Sequence, residues 1–124
     1  MSTLSLNNTL IPYEEIKDSI IMLRNQPVLL DADVAALYGV ETRIVNQAVR
    51  NNPDKFSFGY IFKLDRQEFA NLRSKFSTSS WGGARYVPTA FTERGLYMLA
   101  TILKSPVATR TTLSIIEAFV PKKE

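Results

Sequence analysis

The stretch DADVAALYGVETRIVNQAVR, residues 31–50, decides how this chain is read. Ala35 stands in the middle of a first helical segment, Gly39 follows four residues on, and Val45 six after that. Val34, Tyr38, Val40 and Ala48 supply the other apolar positions. This is the spacing of a helix-turn-helix: a small residue lets the second helix cross the first closely, glycine takes the left-handed turn, and the apolar positions form a shared core. Asp31 is placed to cap a helix over 32–38 and Thr42 to cap one over 42–51, which Pro53 closes.

The second helix has two unlike faces. Ile44, Val45, Ala48 and Val49 fall together and are expected to be buried. Arg43, Asn46, Gln47 and Arg50 recur at i, i+3, i+4 and i+7 on the opposite side. Arginine pairs with guanine through two donors, and asparagine or glutamine does the same with adenine through a donor and an acceptor. These four are therefore the candidate base-reading residues. A solvated face would ordinarily carry Lys and Glu, whereas this one carries two amides, two arginines and no acid. The competing reading is a plain amphipathic helix, because the same geometry also serves protein contacts and packing.

Working outward, Pro12 opens a helix to about residue 19, with Ile16, Ile20 and Leu23 at helical spacing. The alternative makes 20–23 and 28–30 two strands turning over Arg24-Asn25-Gln26, and the preferred reading is the helix followed by that hairpin. Phe58, Tyr60, Phe62 and Leu64 alternate with Gly59, Ile61 and Lys63, which predicts a strand over 58–64. Asp65 with Glu68 reads as a capping box opening a helix that aligns Phe69, Leu72 and Phe76. Residues 85–91 look extended around Pro88. Thr92 then caps an apolar helix whose buried side is Leu96, Leu99, Ala100 and Leu103, with Gly95 marking a close helix contact or, in a sharper alternative, a dimer face. Ser105-Pro106 starts a last helix through Val120. The sum is an α+β fold of about five helices and four short strands: a helix-turn-helix core, a hairpin, a wing-like strand pair and two C-terminal helices.

Composition bounds the function. The 124 residues are 45% hydrophobic and 22% charged, fitting one domain over 1–124 with an ordered core at about 12–120. The terminal Lys122-Lys123 reads as the start of a linker, so the expectation is the N-terminal part of a longer protein. With no His and no Cys, there is no Ser-His-Asp triad, cysteine nucleophile, ordinary zinc site or disulfide framework. No enzyme activity and no cofactor are expected. Residues 1–10 are polar and uncharged, unlike a signal peptide, and no run approaches a membrane span, so the expected location is the cytoplasm. Residues 1–42 carry two basic and six acidic side chains, net −4, and residues 43–124 carry thirteen and six, net +7. A basic surface on the larger part of a small domain is compatible with nucleic acid.

Two further clusters carry candidate chemistry. Residues 77–86 join hydroxyls, Gly82-Gly83, Trp81 and Arg85 in one loop, a composition that can hold a phosphate at the tip of a wing or simply form a surface loop. Thr42, Lys55, Lys63, Ser79 and Arg85 are the candidate phosphate contacts. Asp31 and Asp33 form an Asp-x-Asp that, with Glu41, could serve a metal-dependent nuclease; capping and first-turn acids explain them better, and no metal site is expected.

The chain also resembles the KilA-N-type phage DNA-binding domains, in particular the branch named after the open-reading-frame-six N-terminal domain. The resemblance rests on Val28-Leu29-Leu30-Asp31, Val34-Ala35-Ala36-Leu37-Tyr38-Gly39-Val40, Val45-Asn46-Gln47-Ala48-Val49-Arg50-Asn51, Phe62-Lys63-Leu64 and Leu72-Arg73-Ser74. It continues through Gly82-Gly83-Ala84-Arg85-Tyr86 with Pro88, and Ala90-Phe91-Thr92-Glu93-Arg94-Gly95 ahead of Met98-Leu99. It runs from about residue 16 to 120. It implies a phage- or prophage-borne DNA-binding module of antirepressor-like regulators, with no defined operator; Ala84 departs from the family, which often has a second basic residue there. The expected partner is double-stranded DNA, with a homodimer and a phage or host repressor protein as further partners. The alternative function is a protein-interaction module docking such a repressor, and a metal-dependent nuclease ranks last.

Overall fold

The structure, a computed structural model, describes residues 13–75, 87–104 and 106–119. In chain order it contains α1 (Tyr13–Ser19), β1 (Ile21–Leu23), β2 (Gln26–Leu30), α2 (Asp31–Tyr38), α3 (Thr42–Asn51) and a 3-10 turn (Pro53–Lys55). Then follow β3 (Ile61–Lys63), α4 (Arg66–Lys75), β4 (Thr89–Phe91), α5 (Glu93–Leu103) and α6 (Pro106–Phe119). The α+β reading holds, with six α-helices rather than about five among the described residues. None of those helices is long and apolar enough to cross a membrane.

All four strands form one antiparallel sheet in the order β1-β2-β4-β3. The expected pair is present, Ile61 opposite Phe91 and Lys63 opposite Thr89, but β4 lies inside the sheet, so the pair is no free-standing wing. Side chains alternate across the strands. Leu29 and Phe91 face the helical layer, where Val34, Val45, Leu96, Leu99 and Ile115 complete the larger core. Val28, Leu30 and Ala90 face the opposite side, covered by Leu72 and Phe69 of α4. Phe56 meets Phe91 edge-on with ring centroids 6.3 Å apart. The buried Tyr38 hydroxyl is hydrogen-bonded to Thr112 of α6, and burial pushes its pKa up to about 12.

The local signals mostly place the turns. Gly39 has φ 73°, and Gly39 N–H and Val40 N–H donate to the Ala36 and Ala35 carbonyls, a Schellman close of α2. Asp65 and Glu68 form the reciprocal capping box at 2.8 Å each way. Thr92 Oγ1 accepts from Gly95 N–H, capping α5. The hairpin turns on Arg24 and Asn25 alone, both at positive φ, as a two-residue turn matching strand twist requires.

Several expectations are corrected. Asp31 is the first residue of its helix rather than its cap, and it is 1% exposed because Val28–Leu30 carry it into the interior. Thr42 is likewise the first residue of α3, behind Glu41, and forms no cap bond. The strand over 58–64 shrinks to Ile61–Lys63, since Gly59 at φ 94° makes residues 58–60 a turn and leaves Phe58 99% exposed. The close contact at Gly95 is with backbone, not a helix: a Cβ there would lie 2.1 Å from the Tyr60 carbonyl oxygen. The extended segment over 85–91 is a strand only at Thr89–Phe91, and residues 76 and 85 lie outside the described residues.

Candidate nucleic-acid interface

The site is built on α3. Val45 and Ala48 are buried, and Ile44 and Val49 are half-buried, so the expected inward face holds the helix against α2 and α5. Asn52 Nδ2 donates to the Ala48 carbonyl at 2.9 Å and satisfies one acceptor at the C-terminal end. Opposite lie Arg43, Gln47, Arg50 and Asn51, all exposed. The helix carries no acidic side chain. Arg43 Nε contacts Glu41 Oε1 at 2.6 Å, an exposed pair of the kind that contributes little and exchanges readily with another anion.

Asn46 behaves differently from its three companions. It sits at the inner edge of the stripe, half-buried, and its Nδ2 donates to Asp31 Oδ2 at 3.1 Å. The same Asp31 oxygen accepts from Thr89 N–H at 3.4 Å, and Oδ1 accepts from Ala32 N–H at 2.8 Å. One carboxylate therefore joins α2, α3 and β4. Burial raises the Asp31 pKa, opposed by its bonds to Asn46, Thr89 and Ala32 and by the nearby Lys63 ammonium. Asp33, half-buried beside it, is pushed up to about 6 by burial and then by the Asp31 charge.

Lys63 is exposed and stands opposite Thr89 in the sheet, close enough to act on Asp31. The sheet thus brings this lysine to the Asn46 side of α3. Lys55 is exposed on the 3-10 turn leaving α3, and Thr42 is half-buried at the start of that helix. Ser79 and Arg85 lie outside the described residues, as does the loop over 77–86. Among the described residues no three His, Cys, Asp or Glu side chains gather to hold a metal ion.

A second surface was missed in the sequence. Arg24 forms a two-pronged ion pair with Glu68, at 2.9 and 3.0 Å, and lies 3.9 Å above the Phe62 ring. Beside it a groove of about 760 Å³ is lined by Arg24, Pro27, Phe58, Thr92, Arg94 and Tyr97 among others. Phe58-Gly59 is a turn signal hidden inside an alternating run, and reading Gly59 as a breaker would have exposed Phe58.

The model of the ORF6N domain matches residues 18–102, which include α2, α3, the whole sheet and nearly all of α5. No curated protein and no solved structure shows a significant match. The match covers well over half of the sequence, and the chain belongs to the ORF6N domain family.

Proposed function

We propose that this is a sequence-reading, double-stranded DNA-binding domain of a phage or prophage regulator of the KilA-N type, antirepressor-like in role and without enzymatic activity. Helix α3 enters the major groove in this reading, as the second helix of a helix-turn-helix does. Arg43, Gln47 and Arg50 meet base edges, and Asn46 joins them from the edge of the stripe. Lys63, Lys55 and Thr42 hold phosphates. The observation that carries it is the exposed face of α3, whose ten residues include no acid, with two arginines and amide side chains on a helix fixed by the buried Val45 and Ala48. Amides carry no charge but present a donor and an acceptor side by side.

The experiment is a salt-titrated binding assay on mixed-sequence duplex DNA. The reading expects log K to fall steeply and linearly with log salt. A second reading, docking of a partner protein such as a phage or host repressor, is supported by the groove with its fully exposed Phe58 beside Arg94 and Tyr97. Absence of DNA binding at low salt favours that second reading.

A further inference from the structure

We infer that Asp31, which lies in the interior, is a positioning residue that fixes which way round the Asn46 amide faces, and with it the base that Asn46 reads. The inference rests on the proposed reading of α3 as the DNA-reading helix. Both Asp31 oxygens accept from backbone N–H groups, Oδ1 from Ala32 and Oδ2 from Thr89. A backbone N–H can only donate, so the carboxylate is held as an acceptor on both sides. Any side chain meeting Oδ2 must therefore offer a hydrogen, and Asn46 does so with Nδ2. The amide cannot turn over without setting its own carbonyl oxygen against the carboxylate. Such a like-dipole contact in the interior is costly.

With one Nδ2 hydrogen committed inward, the other Nδ2 hydrogen and Oδ1 remain. Among the described residues Oδ1 has no hydrogen-bond partner, and no buried side-chain oxygen or nitrogen is left unpaired, so Oδ1 meets solvent. A donor and an acceptor side by side match adenine, whose N6–H₂ donates and N7 accepts. A freely turning asparagine would offer the two in either order. Asp31 selects one order, and through Thr89 it also ties that choice to the strand carrying the partner of Lys63.

The test compares sites selected from a randomised duplex pool by the parent, Asp31→Asn, Asn46→Ala, Gln47→Ala and Arg50→Ala. Asp31→Asn keeps the size of the side chain and can still accept from Ala32 N–H, but the NH₂ it then turns toward Asn46 also faces Thr89 N–H, which loses its acceptor. The variant is therefore less stable and is assayed well below its melting temperature, with Asn46 presenting Oδ1 inward. The expected result is that Asp31→Asn and Asn46→Ala lose preference at the same single base pair, by about 10-fold, while Asp31→Asn keeps the parent's mixed-sequence affinity and salt slope. A purely structural Asp31 would weaken selected and mixed DNA together. The inference is overturned if Asp31→Asn retains the parent preference at every position while Gln47→Ala and Arg50→Ala change theirs. If all four variants select the parent site, the reading of α3 itself fails. A ¹⁵N–¹H spectrum of the parent gives a check that needs no variant to fold: the Asn46 side-chain NH₂ should show one hydrogen-bonded and one free proton. Two free-amide signals there overturn the inference.

Discussion

Replacing Gly95 by Ala should destabilise the domain although it removes a glycine from the interior of a helix. Helix propensity alone predicts a gain of about 1 kcal/mol. The structure opposes it, because the new Cβ would stand 2.1 Å from the Tyr60 carbonyl oxygen and 3.1 Å from its carbon. Carbon approaches a carbonyl oxygen to roughly 3.3 Å, so α5 and the turn before β3 would have to part by about 1 Å. The same segment is where α5 is tied down: Thr92 N–H donates to the Tyr60 carbonyl at 3.1 Å, and Thr92 Oγ1 donates to the Gly59 carbonyl at 2.7 Å. Losing two hydrogen bonds at about 1 kcal/mol each, with looser packing of Leu96 worth about 1–2 kcal/mol more, outweighs the propensity gain. The expected net loss is about 2 kcal/mol. Gly39→Ala is the control, since its φ of 73° is strained for alanine but nothing lies within 4 Å of the added Cβ. It should cost only about 1 kcal/mol, and Gly39→Val more. Urea unfolding followed by far-ultraviolet circular dichroism measures both. A Gly95→Ala protein as stable as the parent, or more stable, would refute the account of how α5 is seated.

Other expectations are narrower. Asp33 has its folded pKa raised to about 6, so the folded state binds a proton more tightly than the unfolded chain, and stability should fall as pH rises from about 4 to 6. Asp33→Asn should remove that loss and stabilise the domain at pH 7 by about 1–3 kcal/mol, with little effect at pH 3.5; equal stability of the two proteins across pH 4–7 would contradict it. Lys63→Ala should weaken selected and mixed-sequence DNA alike and lower the salt slope by about one, whereas Arg50→Ala should chiefly reduce the preference between sequences. Reversed behaviour of the two variants in the same titration would exchange their roles.

What was legible in the sequence was local. The Gly39 turn, the Asp65–Glu68 box and the Thr92 cap each depend on residues three to five apart, so spacing is enough to find them. The polar face of α3 was legible for the same reason. Asp31 was misread because its environment comes from afar: Thr89 lies 58 positions on, and a capping acid and a buried acid look alike in sequence. Asn46 shared that fate, since its helical angle gives the stripe but not the carboxylate waiting at its edge. Gly95 announced a close approach without naming the Tyr60 carbonyl as its partner. The Phe58 turn was hidden by aromatic alternation that continued through Gly59 and overrode the one residue that breaks the strand.

Which residues of the folded domain meet DNA decides its function most directly. Titrating a selected duplex into ¹⁵N-labelled protein and following backbone and side-chain amide shifts gives that answer residue by residue. The prediction is that shifts concentrate on α3, from Thr42 to Asn51 with the Gln47 side-chain amide among them, and extend to Lys63. Shifts confined to Phe58, Arg94 and Tyr97 around the groove, with α3 unmoved, would contradict it.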